Sequence, residues 1–122
     1  MSVIYNEARE GFLGGTSDWD TDTLNVYLVD TGYTSNVAHV WTDVSGNTVA
    51  ASTLSSPTIT AGVADAADVT FSSVSGNEVD TIIIRMGSTD EMICIDGFSS
   101  VTPNGGDITV QWDSGANKIF KL

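Results

Sequence analysis

Three carboxylates at alternate positions, Asp18, Asp20 and Asp22, come closest to a chemical motif in this chain, because the first half of a calcium loop spaces its ligands in this way. The rest of that motif is missing. Such a loop needs a glycine at its sixth place and a glutamate at its twelfth, and here those places hold Thr23 and Val29. The run reads first as a solvated acidic lead-in to the strand that follows. No cofactor is expected, and Asp18, Asp20 and Asp22 are where a metal would be sought. His39 is the sole histidine, so neither a histidine metal cluster nor a Ser-His-Asp relay with a spare acid-base can be assembled. Glu78 and Asp80, and Asp90 and Glu91, are pairs beside turns, where carboxylates stay solvated rather than acquire the raised pKa of a glycosidase acid. Gly11-Phe12-Leu13-Gly14-Gly15 lacks the Lys-Ser/Thr ending and the preceding strand of a phosphate loop. The inventory is that of a protein that is not an enzyme.

The residues that remain are suited to contact rather than chemistry. Trp19 and Trp41 stand in irregular segments and are read as candidates for a partner interface, where aromatic side chains are enriched. Trp112 is in phase with Ile108 and Val110 and is read as core. Cys94, within Glu91-Met92-Ile93-Cys94-Ile95-Asp96, is read as a small buried hydrophobe. A single cysteine forms no internal disulfide, and Met1-Ser2-Val3-Ile4 lacks the pattern of a secretory signal, so folding in a reducing cytoplasm is expected.

A chain of 122 residues suits one domain, burying about 65% of its unfolded surface. Sixteen acidic against four basic residues give a formal charge of −12, which repels nucleic-acid phosphates and anionic membranes alike. Neither is an expected partner. No apolar run approaches the roughly 20 residues of a membrane-spanning helix.

The elements that position these residues follow from local pattern. Residues 6–13 predict a short helix with Asn6 as N-cap and Gly14-Gly15 as its stop. Thr23 to Asp30 alternates as a strand, with Leu24, Val26 and Leu28 on one face. Asn36 to Val44 has helical spacing but β-branched composition; a short helix or turn is favoured. Thr48 to Gly62 reads as β, with Pro57 at an edge, a strand start or a loop, and Asp65-Ala66-Ala67-Asp68 as a turn. Val69 and Phe71 mark another strand. Thr81 to Met86 and Glu91 to Asp96, joined by Gly87-Ser88-Thr89-Asp90, predict the central hairpin. Asn104-Gly105-Gly106-Asp107 and residues 113–117 predict turns around a strand ending at Trp112, so that the chain closes on a β-hairpin, with Lys118 and Lys121 guarding its terminal strand. The expected fold is all-β: a compact antiparallel sandwich or barrel with one or two short helices, one near the N-terminus. An arm over residues 1–22, carrying that helix, would pack on or reach from a single β domain of residues 23–122.

Two stretches carry a resemblance. Val101 to Leu122 (VTPNGGDITVQWDSGANKIFKL) resembles the closing segment of a family of small tailed-bacteriophage virion proteins, and Tyr5 to Asp30 (YNEAREGFLGGTSDWDTDTLNVYLVD) resembles that family's start. The likeness covers a little under half of the chain and includes no catalytic motif. It implies a particle-associated protein, made in the host cytoplasm and bound to the capsid exterior as a head decoration or cement protein. The major capsid protein would be its partner, and a homotrimer is the implied assembly. Tyr5 and Phe12 of the arm, then Trp19 and Trp41, are the expected contact residues. The alternatives are a tail or fibre module binding host-surface glycan through exposed aromatics, and a minor head–tail or tail-tube component.

Overall fold

The computed structural model describes residues 3–87 and 89–122. Met1, Ser2 and Ser88, which belong to the expected arm and central turn, lie outside them. Among the described residues the protein is all-β, with ten strands in antiparallel sheets and two short α-helices. In chain order these are β1 (Val3–Ile4), α1 (Asn6–Gly14), β2 (Leu24–Asp30), α2 (Trp41–Val44), β3 (Thr48–Thr53), β4 (Thr58–Thr60), β5 (Val63–Asp65), β6 (Val69–Phe71), β7 (Val79–Met86), β8 (Met92–Val101), β9 (Ile108–Val110) and β10 (Phe120–Lys121).

The five-stranded sheet runs β1-β8-β7-β2-β3 and is open at both edges, which favours the sandwich over the barrel. Its centre is the predicted one: β7 pairs with β2 on one side, Ile84 facing Val26, and with β8 on the other, Ile83 facing Ile95. Period-2 alternation sorts the side chains of these strands into two cores. Leu24, Val26, Leu28, Ile82, Ile84 and Met86 share one core with residues of the smaller sheets β10-β5-β4 and β6-β9. Tyr5, Val29, Tyr33, Val44, Ile83, Met92 and Ile95 form the second on the opposite face, closed by the segment leading into α2. Cys94 is wholly buried, and desolvation pushes its thiol far above the ordinary range.

Several local readings change. The N-cap of α1 is Tyr5, not Asn6, with extended backbone and no side-chain cap; the stop at Gly15 is a left-handed C-cap (φ 78°) whose N–H bonds the Gly11 carbonyl. Ahead of that helix, Val3 and Ile4 pair with Ile95 and Cys94, and Tyr5 N–H bonds the Ile93 carbonyl at 3.0 Å. Asp65 ends β5, leaving residues 66–68 as the connection. The chain does not close on a hairpin. β9 pairs with β6, Val110 against Val69, while β10 pairs with β5, Phe120 against Ala64. The reason is visible at Trp112, whose N–H bonds Asp68 Oδ1 (3.0 Å) and whose indole Nε1–H bonds the Ala67 carbonyl (2.9 Å), so β9 is held against the 66–71 segment instead of its successor. Lys118 precedes β10 with φ 46°, so only Lys121 lies on that edge strand.

Glu7, on the first turn of α1, gives one measurable consequence. Its Oε2 accepts the Met92 N–H at 3.2 Å, yet partial burial, opposed by that bond but reinforced by the nearby charges of Glu91, Glu10 and Asp43, raises its pKa above the ordinary 4.5. A carboxyl raised on folding favours the folded state below its unfolded pKa and loses that contribution as the pH climbs through the folded value. Ionised Glu7 therefore costs stability at neutral pH. Glu7→Gln keeps an acceptor for Met92 and should raise the melting temperature by about 2 °C at neutral pH, a gain kept small by solvent screening. Scans repeated in acid should show the two proteins converge; an equal gain at both pH values would remove the charge explanation.

Candidate interaction site

The four aromatic residues expected at an interface fall into two pairs on opposite faces of the large sheet. Tyr5 and Trp41 belong to the second core. Tyr5 is 0% exposed, its hydroxyl 3.1 Å from that of Tyr33, which lies 2.9 Å from His39 Nδ1. Desolvation first, and then Tyr33, push the Tyr5 hydroxyl well above the ordinary phenol range. Tyr5 is a packing residue and offers nothing to a partner. Trp41 is half-buried beneath Arg85, whose guanidinium carbon is 4.1 Å from the indole centroid and 5.1 Å from that of Tyr27. Arg85 also donates to Tyr27 Oη at 2.7 Å and pairs with Asp90 at 2.9 Å, so this cluster is internally satisfied except for Arg85 Nε, buried without a hydrogen-bond partner among the described residues.

Phe12 and Trp19 come together with a residue that no local pattern singles out, Phe120. Phe12 projects from the last turn of α1, Trp19 from the loop before β2, and Phe120 from β10. The Trp19 and Phe120 rings meet edge-on at 5.1 Å and 86°, the Phe12 and Phe120 rings are tilted at 6.1 Å, and Trp19 Nε1–H bonds the Asp65 carbonyl at 3.1 Å. Trp19 is only 2% exposed, which corrects its reading as a free interface aromatic: it is the floor. Over that floor opens a groove of about 200 Å³, lined almost wholly by apolar groups, with Ile59 of β4, Ala64 of β5 and Leu122 completing the wall. Ile59 is 53% exposed and Leu122 61%, and Leu13, next to Phe12, is 91% exposed. Gly11 keeps α1 close to this loop. A Cβ there would collide with Ser17 Oγ, which donates to Glu91, and come within 2.6 Å of the Glu91 carboxylate.

Asp18 lies on the groove's rim. Two of the three carboxylates of its run are engaged locally: Asp18 Oδ1 accepts the Thr21 N–H at 3.3 Å, and Asp22 Oδ2 accepts the Asp18 N–H at 3.0 Å. Hydrogen bonds, that of Thr21 first, hold Asp18 below the usual carboxylate range, and Asp18 pushes Asp20 above it. Among the described residues no three His, Cys, Asp or Glu side chains gather as metal ligands. Sequence reasoning missed Ile59, Phe120 and Leu122. Phe120 opens the two-residue strand β10 and Leu122 follows it, and nothing local ties either to Phe12.

No protein-family model matches the chain, and neither a curated protein nor a solved structure matches it.

Proposed function

We propose that this protein is a non-enzymatic component of a tailed-bacteriophage virion, which binds the capsid exterior and stabilises the head by bridging capsid subunits. The observation that carries the reading is the open apolar groove over Phe12, Trp19 and Phe120, flanked by exposed Leu13, Ile59 and Leu122. Apolar side chains gathered at the surface of an otherwise acidic, Ser- and Thr-rich domain suit a protein that is covered by a partner. The likeness of Tyr5–Asp30 and Val101–Leu122 to phage virion proteins supports the major capsid protein as that partner and a homotrimer as the assembled form. A charge of −12 steers the protein toward basic patches on a capsid, and many copies make modest seams cumulative. The glycan-binding alternative needs open aromatic faces, and it draws less support from a Trp19 that is buried and a Trp41 that lies beneath Arg85.

Copy number per purified particle tests the proposal. Quantitative mass spectrometry against the major capsid protein is expected to return hundreds of copies. A handful would move the protein to the tail or connector and end the decoration reading.

A further inference from the structure

β4 is the free edge of the sheet β10-β5-β4 and forms one wall of the groove. Its pairing fixes what it presents. Thr58, Ile59 and Thr60 stand opposite Asp65, Ala64 and Val63. The Ala64 carbonyl accepts the Ile119 N–H at 3.1 Å, on the β10 side of β5, and in an antiparallel ladder the N–H and C=O of one residue point to the same side. Val63 and Asp65 therefore bond toward β4, and Ile59, opposite Ala64, turns its own N–H and C=O to the free edge. The side chain of Ile59 lines the groove, while Thr58 and Thr60 line the hollow on the other face with Val63 and Lys118. An outward backbone donor and acceptor stand beside an apolar slot large enough for one aliphatic side chain, the arrangement that strand addition uses.

The charge says what kind of strand. Asp18 lines the groove, and Asp20 is exposed two residues further on. Lys121 alternates with Phe120 and does not line the groove, nor does Arg9, exposed on α1. A second copy at −12 would bring like charge to this rim; a cationic segment would complement it. We infer that an extended segment of a partner protein, with an aliphatic side chain flanked by lysine or arginine, adds to β4 as a further strand and seats that side chain over Phe12 and Phe120. The inference rests on the reading of this face as an interface and specifies the partner's chemistry there.

The test uses a fluorescein-labelled nonapeptide alternating lysine and threonine about a central leucine, titrated with the whole protein and followed by anisotropy. Saturable binding is expected, weakening by about tenfold for an alanine-centred peptide and again for the solvent-exposed variant Ile59→Glu. Asp18→Asn with Asp20→Asn should weaken it by about threefold and flatten its salt dependence. Equal binding of a peptide with glutamate for lysine, no binding at all, or self-association through β4 in sedimentation runs would overturn the inference. Binding of the lysine peptide by a protein missing from particles would support the groove's assignment while ending the capsid reading.

Discussion

Phe12→Asp is expected to strip the protein from purified particles while leaving a folded β domain. The substitution puts a carboxylate on the groove wall that Phe12 shares with Asp18, in place of a ring whose centroid lies 6.1 Å from that of Phe120. A partner group that fills the slot would then have to desolvate that charge, and an anchor position of this kind is worth about 2 kcal/mol or more, a loss of roughly 30-fold in affinity per site. If each copy bridges several capsid subunits, as proposed, the loss compounds on a particle. The fold has reasons to survive. α1 remains attached through the Val3–Ile95 and Ile4–Cys94 pairs and through Ala8, which is fully buried. Leu13→Asp, at a position 91% exposed, controls for folding because it changes the same surface without touching the core. Occupancy by quantitative gel, alongside far-ultraviolet dichroism of the free proteins, checks both. Wild-type occupancy in the Phe12→Asp virion would remove this face from the account.

The second large effect is on stability. Phe120→Ala should cost about 3 kcal/mol, lowering the melting temperature by about 10 °C. Phe120 is 5% exposed and is the one ring that touches both Phe12 and Trp19, so its loss removes two aromatic contacts and opens the groove floor into the main core. It also unpins β10, a strand of two residues held to β5 by Phe120 opposite Ala64 and Lys121 opposite Val63. The existing groove lets neighbours relax into part of the space, which places the cost toward the lower end for a buried aromatic. Phe120→Leu, refilling much of the volume, should restore more than half of the loss. Urea denaturation of the three proteins decides it: a cost under about 1 kcal/mol for alanine would mean that the aromatic cluster does not hold the small sheet in place.

Both predictions depend on contacts between segments far apart in sequence, and there the limits of local reading are clearest. Leu24, Val26 and Leu28 alternate with Asn25, Tyr27 and Val29, and the two apolar runs around Gly87–Asp90 lie at hairpin distance, so β2, β7 and β8 are legible from period and turn chemistry alone. The helix before Gly14-Gly15 is legible for the same reason. Trp19 is not. No regular alternation surrounds it, and its burial comes from Phe120, 101 positions away in the chain, and from the Asp65 carbonyl.

By itself, then, the sequence determined an acidic, all-β protein with a helix near its start, because strand and helix periods report which side chains need cover, and composition reports charge. Only the tertiary structure decided what provides the cover. A strand's alternation is the same whichever neighbour it pairs with, so the pairing of β9 with β6 and of β10 with β5, against the closing hairpin that turn chemistry predicts, depends on side chains such as Trp112 finding partners at Ala67 and Asp68. The groove exists for the same reason: Phe12, Trp19, Ile59, Phe120 and Leu122 share no local pattern, and they become one surface when α1, β4 and β10 meet at the rim of the larger core.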